Sequence, residues 1–393
     1  MTDYLGFHYK VGDKIFYNKI EAVLYANITL EDITWHYHDE VFSSLDWTIE
    51  PTISLDEFYR IRAQQIRDSY DYVVILCSGG ADSTNVVKTF LENNITIDEV
   101  IAAAPMSGLR DYDFNDKDTT HLNTMSETKY AQLPLMHDIS VNYPNIKITL
   151  HDYFEEMINY KTDEWLYQSE DWIHPSSVAR YRYERHTHLK DLAESGKRVA
   201  FVYGIDKPWL SIGRDNSIHT IFSDLTVNTQ RQPFDKHYPN VENVLFYWSA
   251  TLPEMLVKQA HEVSRWIFKP ENANALQYLQ DRRIMMNWSW EKNRYRHSKY
   301  ERAIVPCLYP STSKTIFQAE KPIKLFLGEH DGWFYKHHSK THMYEMIVSD
   351  VSHFYKNINV KYLNEEKNGF VTYTVSYKIG DVGKFHPLYH ANI

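Results

Sequence analysis

Short apolar runs punctuate the middle of the chain, each followed by a turn signal and then by apolar residues at helical spacing. Val73-Val74-Ile75-Leu76-Cys77 is such a run, apolar throughout as a strand covered on both faces must be. It leads through Ser78-Gly79-Gly80 into a helix expected from Thr84 to Leu91, with Asn93-Asn94 as its stop. Glu99 to Ala104 reads as the next strand, ended by Pro105, and Ile146-Lys147-Ile148-Thr149-Leu150 alternates as a third. Val199-Ala200-Phe201-Val202-Tyr203 is a further buried run. Helices are expected over 119–138, with a break or kink at Pro134, and from Ser176 to Ala193, stopped by Gly196. Strand, helix and strand in succession imply parallel pairing with right-handed crossovers.

Around this centre the pattern changes. Residues 1 to about 55 are short aromatic segments broken by charges. Ser54 then opens a helix as its N-cap, with Glu57 three residues on in capping-box position and Leu55, Phe58, Ile61 and Ile66 near the helical period. After the Val199 strand, Trp209–Ile212 and Ile218–Phe222 flank a turn at residues 213–216 and read as a hairpin. Residues 253–303 look largely helical, and Phe370–Tyr377 alternates like an edge strand. The expected fold class is α/β: a three-layer parallel-sheet domain over residues 54–250, a small N-terminal region over 1–53, and a mostly helical C-terminal region with terminal strands over 251–393.

A chain of 393 residues can bury a sizeable core. Its net charge of −10 argues against a global positive field for long nucleic acid and favours small-molecule chemistry. The only cysteines, Cys77 and Cys307, supply neither a disulfide framework nor a four-thiolate zinc site, as a reducing cytoplasm would produce. Lys10, Asp13 and Lys14 interrupt any signal-like apolar segment, and no uncharged stretch approaches membrane-spanning length. A soluble cytoplasmic protein with no membrane partner is the expectation.

The turn after the first buried strand carries the strongest chemical signal. Buried strand, glycine-rich turn and helix start form a grip for phosphate, because glycine lets backbone approach an anion and the helix N-terminus aims N–H groups at it. Ser78 and Ser83 add hydroxyls, and Asp82 can hold magnesium against the same phosphates. The sequence is neither a Walker A loop, since no Gly-Lys-Ser/Thr follows Gly80, nor a dinucleotide fingerprint, since the third glycine is missing. The plain alternative is a capped helix start with no ligand.

Ser78-Gly79-Gly80-Ala81-Asp82-Ser83 resembles the PP-loop, Ser-Gly-Gly-X-Asp-Ser, of the ATP pyrophosphatase superfamily, with every fixed position present in the strand-to-helix context. The resemblance covers about residues 55–225 and is nearest in outline to the synthetase domain of asparagine synthetase; the outline is also similar to PP-loop proteins carried by large tailed phages. It implies a HUP-like fold with ATP and Mg2+ as cofactors. ATP would be split between its α and β phosphates, the substrate adenylated, and AMP displaced by ammonia or an amine. Ser78, Gly79, Gly80, Ala81, Asp82 and Ser83 would bind ATP, with Asp82 on the metal. In the asparagine synthetase group a second acidic loop at a later strand end supplies another magnesium ligand. Asp206, after Gly204, occupies the comparable place, and Lys207 could neutralise the α-phosphate. Gly204-Ile205-Asp206-Lys207-Pro208 departs from that group's Gly-Glu-Gly-Ala-Asp-Glu pattern, so the acceptor chemistry is open and the segment also reads as a simple turn. Relatives seat adenine at the end of the second strand, here Ala102-Ala103-Ala104-Pro105-Met106; Ala103 would leave room for a base and Met106 would wall it, while a buried strand and turn is the other reading.

Other clusters carry less. His36/His38, His186/His188 and His337/His338 with His342 lack a cysteine or an obvious third ligand, which favours solvated or stacking roles over zinc. Arg180, Arg182 and Arg185 could reach phosphate, though their spacing cannot put all three on one face. Residues 281–302 mix arginine and lysine with Trp288, Trp290, Tyr295 and Tyr300, as RNA-binding segments do, or form a charged helix face. Three functions therefore stand. One is a carboxylate-activating ligase using ammonia or an amine without a glutaminase domain, since position 2 is Thr2 and about 70 residues precede the loop strand. Another is a nucleoside or tRNA base modifier of the lysidine synthetase kind. The third is a module that holds ATP without turnover. The substrate, the nitrogen source and the oligomeric state are left open by the sequence.

Overall fold

The computed structural model describes residues 6–17, 19–104, 106–107, 128–152, 186–204, 209–213, 215–222, 240–270 and 374–385. The aromatic segments at the start of the chain are a sheet, which their irregular spacing did not reveal. Strands β1 (Phe7–Val11), β2 (Lys14–Phe16) and β3 (Ile33–Tyr37) pair antiparallel in the order β2-β1-β3, with helix α1 (Lys19–Thr29) between β2 and β3. Period-2 burial puts Phe7, Tyr9, Val11, Trp35 and Tyr37 on the covered face. After the short α2 (Asp39–Phe42), Tyr37 donates its hydroxyl to the Trp248 carbonyl at 3.0 Å, so this small sheet shares one core with the centre of the molecule.

Helix α3 (Leu55–Ser69) starts where expected: the Ser54 Oγ accepts from the Glu57 amide at 3.3 Å. Only half of the capping box forms, because the Glu57 carboxylate pairs with Arg60 at 2.6 Å instead of reaching back. Leu55, Phe58, Tyr59, Ala63 and Ile66 are buried, whereas Ile61 is half-buried on the flank of that stripe.

The centre is a five-stranded parallel sheet flanked by helices, an α/β layered fold. Strands β4 (Tyr72–Leu76), β5 (Glu99–Ala104), β6 (Lys147–Asp152) and β7 (Val199–Tyr203) match the expected runs to within two residues. The hairpin strands β8 (Trp209–Ile212) and β9 (Ser217–Ile221) follow, and then β10 (Val241–Leu245), which the pattern left unassigned. The parallel sheet runs β10-β7-β4-β5-β6. Val73, Val74 and Ile75 of β4 and Val199–Val202 of β7 are fully buried, which explains their unbroken apolar runs; each Val, Ile or Phe side chain among them contributes about 1.5–3 kcal/mol.

The connecting helices are α4 (Ala81–Glu92), α5 (Leu133–Asn142), α6 (Thr187–Glu194) and α7 (Glu254–Ile267). Helix α4 begins three residues earlier than expected. A π-helical turn, Thr128–Gln132, feeds α5, and Pro134 sits in its first turn, where a missing N–H costs nothing; Pro134 starts this helix where a break was expected. Strand β11 (Tyr377–Asp381) adds an edge to the hairpin in the order β11-β9-β8, so the terminal strand begins where the alternation was expected to end. Residues 374–376, inside that expected strand, are not part of it. A short α8 (Val382–Phe385) follows. No helix among the described residues is long and apolar enough to cross a membrane.

At the amino ends of the sheet, Glu99 is wholly buried yet fully partnered. It accepts from Tyr72 Oη (3.1 Å), Lys147 Nζ (3.3 Å), His188 Nε2 (2.8 Å) and the Thr149 hydroxyl. Burial pushes this carboxyl up, but the His188 and Thr149 hydrogen bonds with the His188 and Lys147 charges outweigh it and hold the group at about 2. Neighbouring His186, 2% exposed, is driven down to about 3 by burial and by the nearby His151 and His188.

Candidate nucleotide site

The strand order determines where a ligand fits. From β4 the chain steps to β5 and β6 on one side, then returns to β7 and β10 on the other, so the crossovers diverge between β4 and β7. Open parallel sheets form their ligand crevice outside the carboxyl ends at this switch point. The Ser78–Ser83 loop follows β4, and Gly204 follows β7.

The loop is bent by Gly79, at φ +82°. A Cβ there would lie 2.5 Å from the Gln132 amide nitrogen and 2.7 Å from its Cα, so only glycine fits, for conformation and for space. Gly80, the N-cap of α4, is different. Its backbone is extended (φ −68°, ψ 167°), which any residue adopts, and it makes no side-chain cap bond. A serine or aspartate at this position would add a side-chain cap bond but stabilise the helix by only roughly a few tenths of a kcal/mol over glycine. Glycine forgoes that bond and leaves the approach to the first-turn amides clear of a side chain.

The serines shape the loop from within. Ser83 Oγ accepts from the Ser78 amide at 3.1 Å and lies 3.2 Å from Ser78 Oγ, which accepts from the Gly80 amide at 3.3 Å. Those two amides are thus turned onto the loop's own hydroxyls. The expected set of external donors therefore loses Gly80, and the donor face is the start of α4, where the first amides have no intrahelical partner. The Thr84 amide, bonded to the Gly80 carbonyl at 3.0 Å, begins the regular ladder.

Gly204 closes the other side. A Cβ on it would sit 2.8 Å from Ser83 Cα and 3.0 Å from Val86 Cγ2, so the end of β7 presses against the first turn of α4. Asp82 is half-buried in that turn, and its main-chain carbonyl accepts from Tyr247 Oη at 2.9 Å. Tyr247 in turn accepts from Asn85 Nδ2 at 3.0 Å, giving β10's end a hold on the helix start. Cys77 is buried just past β4, its thiol donating to Ser83 Oγ at 3.7 Å.

Ala103 is half-buried at the end of β5, and its carbonyl faces Gln132 Nε2 at 3.4 Å. Met106 packs against the main core, and the Ser107 amide binds Asp152 Oδ2 at 2.8 Å, tying this strand end to β6. Asp206, Lys207, Arg180, Arg182, Arg185, Cys307, the residues 281–302 and the His337–His342 group lie outside the described residues. Among the described residues no group of three or more His, Cys, Asp or Glu side chains could hold a metal ion. His36 pairs with Asp39 at 2.6 Å and stacks on His8, while His188 belongs to the Glu99 network.

The structure thus brings together Ser78–Ser83, Gly204 and the Ala103 strand end. Sequence reasoning missed Gln132, Asn85 and Tyr247. Gln132 carried no signal inside a stretch read as ordinary helix, and Tyr247 was one ring among 30 tyrosines. Comparison with protein-family models, with curated proteins and with solved structures returns no match for this chain.

Proposed function

We propose that this protein is an ATP-dependent, AMP- and pyrophosphate-forming ligase of the PP-loop ATP pyrophosphatase type, which adenylates a substrate for attack by ammonia or an amine. The observation that carries the reading is Gly80: an unstrained N-cap at the switch point that makes no side-chain cap bond and puts no side chain of its own over the first-turn amides of α4. The half-buried Asp82 carboxylate suits Mg2+, which characteristically takes one or two carboxylates together with substrate phosphates. Asp206 would be the second such carboxylate. The bound ion would supply charge neutralisation at the phosphates.

In the reaction a substrate oxygen attacks the α-phosphorus, the Pα–O–Pβ bond breaks and pyrophosphate leaves. Charge builds on the departing oxygens, where the first-turn amides of α4 and the positive end of its dipole act. The Ser78 and Ser83 hydroxyls hold the loop in shape for this, and Lys207 would meet the α-phosphate. Nitrogen attack on the adenylate then releases AMP.

ATP–pyrophosphate exchange with carboxylates, nucleosides and tRNA as candidate acceptors tests the reading. Exchange dependent on a small carboxylate is expected. Dependence on RNA would transfer the chemistry to a base modifier, and no pyrophosphate release under any condition would leave a non-catalytic nucleotide holder.

A further inference from the structure

Resting on that reading, we infer that Gln132 is a positioning residue that locks the base end of the nucleotide site to its phosphate end. Gln132 is 2% exposed and is the last residue of the π-helical turn before α5. Such turns are rare and are frequently found at functional sites. Its side-chain Nε2 donates to the Cys77 carbonyl at 2.8 Å and to the Ala103 carbonyl at 3.4 Å. Those carbonyls end β4 and β5, adjacent strands whose continuations form the phosphate loop and the expected adenine seat. Gln132's own backbone is the surface against which Gly79 bends, with no room there for a Cβ.

One residue therefore touches both halves of the crevice, and through two independent contacts. The amide cannot turn over, since its oxygen would then face two carbonyl oxygens. In the observed orientation Gln132 Oε1 is buried without a hydrogen-bond partner, a state kept only where the amide protons are worth more in place. A shift of the π-turn would move Gly79 and the Ala103 strand end together, so the spacing between base and phosphate subsites depends on Gln132.

The test uses the full chain and measures binding of Mg-ATP and of Mg-pyrophosphate by calorimetry, with melting followed in parallel. Gln132→Met fills similar volume without the donors and is expected to weaken ATP about tenfold, equivalent to about 1.4 kcal/mol, while remaining folded at the assay temperature. Gln132→Glu places a carboxylate against two carbonyls, so its affinity is expected to rise as pH falls from 8 to 6 and the acid regains a donor; the wild type stays nearly flat. A purely structural role would change melting and leave the affinity of the folded protein and its pH profile as in the wild type, and that result overturns the inference. If wild-type protein binds neither ligand, the ATP reading fails and this inference falls with it. If the wild type binds ATP and both variants bind equally well, only the role of Gln132 is lost.

Discussion

The two ends of the same parallel sheet treat polar groups in opposite ways. At the amino end, Glu99 is buried among Tyr72, Lys147, Thr149 and His188, and each of its partners is supplied by the protein. At the carboxyl end, the start of α4 has a glycine cap with no side-chain bond, and the neighbouring serines accept from the Ser78 and Gly80 amides of the loop itself. A closed network stabilises the fold; an open one at a strand switch point is where a ligand can complete the bonding. That contrast, more than the motif, separates structural polarity from functional polarity in this chain.

Breaking the closed end should cost the most stability. Glu99→Ala removes a wholly buried carboxylate that accepts from four groups and leaves the Tyr72 and Thr149 hydroxyls without this acceptor; with hydrogen bonds to a charged group each worth about 1.5–3 kcal/mol, a loss of about 3–5 kcal/mol is expected in denaturant unfolding. The same end sets the acid response. Because Glu99 titrates at about 2 when folded, against an ordinary 4.5, its contribution is full above 4.5 and is lost as pH falls towards 2. Because burial keeps His186 neutral down to about 3, the unfolded chain takes up its proton first and stability declines from pH 6.5 downward. Melting temperature recorded from pH 7 to 3 should fall throughout, and Glu99→Ala should flatten the portion below 4.5.

Gly79→Ala comes next, since it combines a left-handed backbone with a collision against the Gln132 main chain. A loss of about 2–4 kcal/mol is expected from strain and overpacking together, with nucleotide binding abolished. Tyr247→Phe removes the hydroxyl between Asn85 and the Asp82 carbonyl and should cost about 1–2 kcal/mol, with a several-fold weaker hold on ATP. Asp82→Ala sharpens the comparison from the other side: losing a first-turn carboxylate is expected to cost about 0.3–1 kcal/mol in melting, the smallest of these effects, while pyrophosphate exchange disappears. Unchanged exchange in that variant would refute the assignment of Asp82 to the metal.

Much of the central sheet was legible because its strands are covered on both faces and so read as continuous apolar runs, as Val73–Ile75 and Val199–Val202 do. The loop's shape was legible because two glycines between a buried apolar run and a helical pattern mark a tight turn into a helix start, as Gly79 and Gly80 make. The N-terminal sheet was not, since aromatic residues such as Trp35 and Tyr37 serve strands and helices alike and charges interrupt the period. The β10 strand was missed for a related reason: Glu242 and Asn243 break its apolar run, although Asn243 is buried. Gln132 and Tyr247 act through contacts with residues far away in sequence, and no local pattern encodes a partner 55 or 165 positions distant.

Amide chemical shifts of the deuterated protein, titrated with Mg-pyrophosphate, test the central claim most directly. The account predicts that Gly79 and the first-turn residues Ala81, Asp82 and Ser83 respond first and saturably, while the amides around Glu99 stay still. Shifts centred elsewhere, or a loop that ignores millimolar pyrophosphate, would contradict it.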